Sequence, residues 1–134
     1  VIFEGWCLGA KAQKNNDLKK PVNELEKLED SKLIWRKKVN DELKKNYKKI
    51  FNLIDDLIYL KVPSFKHIYK WRLLQEKKLK KKSKGKKIMN SKEIKKFVMY
   101  YERITRNMSQ DLNLKAKIII KIDSKHKLKS IRFN

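Results

Sequence analysis

The sequence predicts an α/β fold with a mainly parallel sheet, and three observations carry that expectation. Short apolar runs at Val1-Ile2-Phe3, Leu57-Ile58-Tyr59-Leu60 and Ile118-Ile119-Ile120 have strand length and β-branched content. Between them lie long stretches in which apolar residues recur at helical spacing. Strands that alternate with helical segments are the signature of parallel strands joined by crossovers.

The first run, Val1-Ile2-Phe3-Glu4-Gly5-Trp6, is expected to be a buried parallel strand that delivers the Glu4 carboxylate to its C-terminal end. Open α/β sheets bind ligands outside that edge. An acid there in a nucleotide-binding protein commonly holds Mg²⁺ against phosphate oxygens. The same short pattern equally describes a core strand that merely runs into a turn. Cys7-Leu8-Gly9-Ala10 is a small-residue turn that lets a ligand approach the backbone.

Residues 11–24 are polar and read as a surface loop. Asn23 or Asp30-Ser31 can cap the short segments around Leu25 and Leu28. A long helix is expected from about Lys32 to Leu53, with Trp35, Val39, Leu43, Tyr47, Ile50 and Ile54 as its core stripe. Residues 56–62 form the second strand. Pro63 ends it, because proline cannot donate to a ladder and holds Val62 extended.

Ser64 is the expected N-cap of a helix over 65–79. Residues 77–87 are nearly continuous lysine around Ser83 and Gly85, which predicts a solvated, mobile loop or a frayed helix end. Ser91 is the expected N-cap of the next helix, 91–110, with Ile94, Phe97, Val98, Tyr101, Ile104 and Met108 on its apolar face. A third strand covers 116–122, and its three consecutive isoleucines suit a sheet buried on both faces. A turn at 123–127 leads to a shorter edge strand, 128–133, so that the chain closes on a hairpin.

At 134 residues the chain is one domain long. It opens at Val1 in mid-strand, which suggests a fragment. No apolar run approaches bilayer length, and the single cysteine, Cys7, permits no intrachain disulfide. A soluble protein of a reducing, cytoplasmic compartment with no membrane partner is expected. The net charge of +22 raises the prospect of an anionic partner. Only five of the 37 basic residues are arginine, however, and the lysines spread over every segment. Nucleic-acid readers draw on arginine and stacked aromatics, so nucleic acid is not the expected partner. Nothing in the sequence specifies an oligomeric state.

The few arginines thus become informative. Arg72 follows Trp71 on the helix 65–79, and Arg103 and Arg106 lie three apart on the helix 91–110. The two helices and their basic connection have the layout of a lid, about 65–110, and guanidinium groups closing over a phosphoryl group stabilise its charge. Surface pairs with Glu76 and Glu102 fit the same spacing. His67 and His126 are single histidines without a matched ligand set and are taken as structural or surface residues.

Several blocks resemble the C-terminal part of plant- and cyanobacterial-type D-glycerate 3-kinases and a related fungal P-loop kinase group. They are Phe3-Glu4-Gly5-Trp6, Ile34-Trp35-Arg36 with Val39-Asn40, Pro63-Ser64-Phe65, Tyr69 to Glu76, and Phe97 to Arg106. More distantly the layout is similar to uridine kinase and phosphoribulokinase. The resemblance implies the C-terminal portion of a P-loop kinase fold, with the whole chain, 1–134, as a partial kinase domain. It implies ATP-dependent phosphorylation of a small hydroxy acid, D-glycerate to 3-phosphoglycerate, with ATP and Mg²⁺ as cofactors. Glu4 would be the acid acting through Mg²⁺, and Arg103 and Arg106 catalytic lid cations. Arg72 and Gln75 would contact the nucleotide. Trp6 and Gly9 would border the acceptor, and Arg36 would meet its carboxylate by charge complementarity.

Such a kinase also needs the phosphate-cradling G-x-x-x-x-G-K-[ST]. The three glycines, Gly5, Gly9 and Gly85, open no such motif. The chain is therefore expected to lack the Walker A half, to be inactive alone, and to be marginally stable because strands of a parallel sheet would be left uncovered. A small basic nucleic-acid-binding protein and a non-catalytic kinase-like scaffold are the alternatives.

Overall fold

The computed structural model describes residues 1–82 and 88–134. The expected mobile loop around Ser83 and Gly85 lies outside the described residues. The fold is α/β, with helices packed on a three-stranded mixed sheet.

Three short helical pieces come first: α1 (Asn15–Lys19), α2 (Glu24–Leu28) and α3 (Ile34–Glu42). Helix α1 lies inside the stretch expected to be loop; its one buried residue is Leu18. The Asn23 side chain caps α2 by accepting from the Glu26 N–H, 3.0 Å. The Asp30 carboxylate takes the N–H groups of Trp35 and Arg36, 2.9 and 3.0 Å, and so serves the donors left open at the start of α3. Helix α3 runs through a π-helical segment, Leu43–Tyr47, into α4 (Lys48–Phe51).

This long helix turns the opposite way from the expected one. Trp35 is 69% exposed, Val39, Tyr47 and Ile50 are exposed as well, and only Leu43 of the apolar stripe is buried. The inward face is Arg36, Asn40 and Leu43. Polar bonds fix that face. Arg36 meets Glu26 and Asp30, and Asn40 exchanges two hydrogen bonds with the Gln13 backbone, 2.7 and 3.1 Å. Buried polar groups held by ion pairs and hydrogen bonds have outcompeted the apolar periodicity.

Strand β1 (Ile58–Lys61) pairs parallel with β2 (Ile118–Ile122), with Ile58 opposite Ile118 and Leu60 opposite Ile120. Strand β3 (Leu128–Phe133) returns antiparallel, which confirms the terminal hairpin. Residues 1–5 do not form the expected first strand: they join no ladder, and Val1, Ile2 and Phe3 are exposed. An extended apolar segment without a neighbour to pair with gains neither ladder bonds nor burial.

Among the described residues the sheet is covered on one face only. Ile119 is fully buried in a core with Ala10, Leu43, Met108, Leu112 and Ala116, and Tyr59 packs beside them. The other face, with Ile58, Leu60, Ile131 and Phe133, stays exposed.

Helices α5 (Phe65–Lys82) and α6 (Ser91–Lys115) connect β1 to β2 and pack on each other. Helix α5 carries the lysines as far as Lys82 into helix rather than loop; lysine is a good helix former, and cations suit a helix C-terminus. The N-cap of α6 is Asn90, one residue before the expected Ser91. Its side chain accepts from Lys92 and Glu93 N–H groups while Glu93 reaches back to the Asn90 N–H, a full capping box. Helix α6 extends beyond 110 because Leu112 and Ala116 are part of the core and an Asp111–Lys115 pair braces the last turn.

Candidate functional site

Three pieces of chain meet at the side of α5: the Trp6 turn, the helix itself and the β2–β3 turn. They enclose an open cleft of about 580 Å³ lined by Trp6, Ile68, Trp71, Arg72, Leu74, Gln75, Lys78 and His126. Three residues singled out from the sequence, Trp6, Arg72 and Gln75, are thus brought together.

Each wall has a local cause. Trp6 stacks on Tyr101 of α6, centroids 4.7 Å apart and planes 18° apart, and Phe97 lies 5.2 Å from Tyr101. The Arg72 guanidinium sits 5.3 Å above the Phe97 ring, so the column continues from α6 to α5 as a cation–π contact. Arg72 donates from Nη1 to Gln75 Oε1, 2.7 Å, and from Nη2 to the buried Glu76 carboxylate, 2.5 Å. Its Nε is buried without a partner among the described residues. On the far turn His126 has φ 64°, and its N–H donates to Asp123 O. The Asp123 carboxylate accepts from the Lys125 and Lys127 N–H groups, 2.8 and 2.9 Å, which hold it below the ordinary carboxylate range. The clamped turn lays the His126 ring against Trp71, centroids 4.1 Å apart.

Other sequence-predicted site residues lie elsewhere. Glu4 is exposed, two residues before Trp6, and does not line the cleft. Gly9, expected beside an acceptor, is buried with φ 77° against Leu57; a Cβ there would sit 3.2 Å from Leu57 Cδ1. It is a turn glycine facing the core.

Arg36 and Arg103 are buried in one ion-pair network around Glu26. Arg36 donates from Nη1 to Glu26, 3.1 Å, and from Nη2 to Asp30 O, 2.7 Å, and its Nε lies 3.0 Å from the Asp30 carboxylate. Arg103 spends all five N–H groups on protein acceptors: both Glu26 oxygens at 2.7 Å, Gln13 Oε1, Asp17 O and Lys20 O. No donor remains to Arg103 for phosphate in this arrangement, and Arg36 is equally enclosed. Burial pushes the Glu26 carboxyl up, but hydrogen bonds from Arg103, Val22 and Arg36 and the Arg103 charge outweigh it and hold the group below its ordinary value. Arg106 is different. It pairs with Glu102, 2.6 Å, lies over Phe65 and is about half exposed.

Sequence reasoning missed Lys78 and His126 as cleft residues. No local pattern could bring the 123–127 turn to α5; that meeting is tertiary. Among the described residues no group of three or more His, Cys, Asp or Glu side chains could hold a metal ion, and no helix is long and apolar enough to cross a membrane.

The α/β architecture is that of a kinase-like fold. In particular, the structure superposes on a D-glycerate 3-kinase from Cryptococcus neoformans var. grubii with a TM-score of 0.72 at 20% identity, over 98% of this chain and 49% of that one. In sequence the chain is 35% identical over 103 residues to a protein described as uncharacterized kinase mug58 from Schizosaccharomyces pombe, a match that takes in 75% of this chain and 35% of that protein. No family model matches the chain. The resemblance to D-glycerate 3-kinase read from the sequence blocks is therefore met again in the fold, and the chain spans half or less of the length of these proteins.

Proposed function

We propose that the chain is the lid and acceptor-side part of a P-loop, ATP-dependent small-molecule kinase that converts D-glycerate to 3-phosphoglycerate. The observation that carries this reading is the cleft, which gathers Trp6, Arg72 and Gln75 on a fold shared with a D-glycerate 3-kinase. Arg72 and Gln75 would orient the nucleotide, and Arg106, paired on one side only, is the second cation available to a closing lid. Arg103 is a positioning residue, which pins α6 to the segment 13–26.

Glu4 fits Mg²⁺ as far as one exposed carboxylate can, since Mg²⁺ keeps several waters and takes one or two carboxylates with substrate phosphates. When bound, the metal would neutralise phosphate charge. The phosphate-cradling segment would come from further chain, which would also cover Val1–Phe3 and the open face of the sheet.

The test is an assay of the protein encoded with its upstream sequence, with ATP and D-glycerate, followed by phosphorus NMR. The expected product is 3-phosphoglycerate, and residues 1–134 alone should form none. Lack of ATP turnover with D-glycerate and with a panel of small hydroxy acids would remove the reading.

A further inference from the structure

We propose that the outer side of the long helix, formed by α3, its π-helical turn and α4, is a docking surface for an anionic phospholipid membrane. The inference goes beyond the kinase reading and uses none of the cleft residues.

This helix carries its apolar stripe outward. Trp35, Val39, Tyr47 and Ile50 are all exposed, spread along about 20 Å of helix. The π-helical turn lines them up. Leu43 lies in the core and Phe51, eight residues on, packs against it, although a straight α-helix would set the two about 80° apart. The wider turn at Leu43–Tyr47 takes up that angle. The same adjustment brings Ile50 round toward the line of Trp35, from about 60° off in a straight helix. Such turns are frequent at functional sites.

Charge says what covers the stripe. Lys37, Lys38, Lys44, Lys45, Lys48 and Lys49 stand exposed on the same helix. Of these only Lys38 has an ion-pair partner among the described residues, Glu42. A basic amphipathic helix with tryptophan on its apolar side suits the interface of an anionic bilayer. There the apolar side chains enter the headgroup region, and lysine stems lie along them with their ammonium groups in water.

Other occupants fit less well. A second copy would press two sets of lysines together. A protein partner held in one register draws on arginine anchors. Arg36, the one arginine of this helix, is turned inward to Glu26 and Asp30. Lysine point charges need no fixed geometry and match a fluid headgroup layer. The lack of a spanning run, on which the expectation of no membrane partner rests, does not bear on a helix that lies in the surface.

The test is co-sedimentation of the protein encoded with its upstream sequence with two kinds of vesicle. One is phosphatidylcholine alone; the other is phosphatidylcholine with phosphatidylserine, three to one. Binding to the second kind only, weakening as salt rises, is expected. Trp35→Ser should weaken it at least tenfold and Ile50→Ser several-fold. The circular dichroism spectrum should stay unchanged in both, because both side chains are exposed. Tryptophan emission should shift to the blue on binding, and Trp35→Phe should remove that shift while keeping most of the binding. Phe133→Ser, on the bare sheet face, should change nothing.

Absence of binding, equal binding to both kinds of vesicle, or binding that Trp35→Ser leaves intact would overturn the proposal. So would a loss in Phe133→Ser as large as that in Trp35→Ser. Self-association abolished by Trp35→Ser, without vesicle binding, would overturn it and assign the stripe to a second copy. None of these outcomes touches the kinase reading, which the phosphorylation assay decides.

Discussion

Arg103 and Glu26 meet across 77 residues of chain in a two-pronged contact, Nε to Oε1 and Nη2 to Oε2, each 2.7 Å. Both side chains are about one-tenth exposed. Because the pair ties α6 to α2, and Arg36 joins it from α3, three helices share one electrostatic knot. Arg103→Ala should therefore cost about 3–5 kcal/mol, the range for removing one partner of a buried pair. Arg106→Ala, whose side chain is about half exposed, should cost less than about 1 kcal/mol. Urea unfolding of the two variants checks both, and equal losses would show that the knot is not the stabilising feature.

The same knot sets an acid limit. The folded Glu26 carboxyl is held below its ordinary value of 4.5, so it contributes stability above that pH, and the contribution is lost as pH falls through the lower folded value. Asp111, Glu42 and Asp123 are lowered too, so the informative quantity is a difference. Wild type should lose stability more steeply below pH 4.5 than Glu26→Gln, and parallel pH profiles would contradict this.

Gly9 makes a turn at φ 77° against Leu57. Gly9→Ala should destabilise the chain by about 1–2 kcal/mol from the left-handed backbone alone. The close approach of the new methyl group to Leu57 should add to this. A thermal melt reports the sum, and an unchanged midpoint would mean that the turn relaxes freely.

Asn90, not Ser91, should carry the cap of α6. Asn90→Ala should cost about 1 kcal/mol, whereas Ser91→Ala, at a helical position without a capping bond, should be neutral or slightly stabilising because alanine is the better helix former. Hydrogen exchange at Lys92 and Glu93, whose N–H groups the Asn90 side chain accepts, should rise in the first variant alone.

How far the sequence could be read followed the range of the interactions. Strands β1, β2 and β3 and helices α5 and α6 were legible because apolar spacing, Pro63 and Ser64 are local signals. The long helix is legible but its face is not, because its orientation depends on Glu26, Asp30 and Gln13, residues outside the helix that its own apolar periodicity does not register. The Val1–Phe3 run has strand chemistry without a partner strand to express it. At the site, Trp6, Arg72 and Gln75 were named from motif blocks and do share a cleft. Arg36 and Arg103 belong to the same blocks yet face inward, since a motif records that a residue matters and not whether it acts on a ligand or on the scaffold.

Ile58, Leu60, Ile131 and Phe133 leave one side of the sheet bare. Cells treat such a greasy wall as the mark of unfinished folding. Produced by themselves, these residues would be a standing client for chaperones and a seed for clumping. Expression yield would then be limited by this bare wall more than by any feature of the cleft.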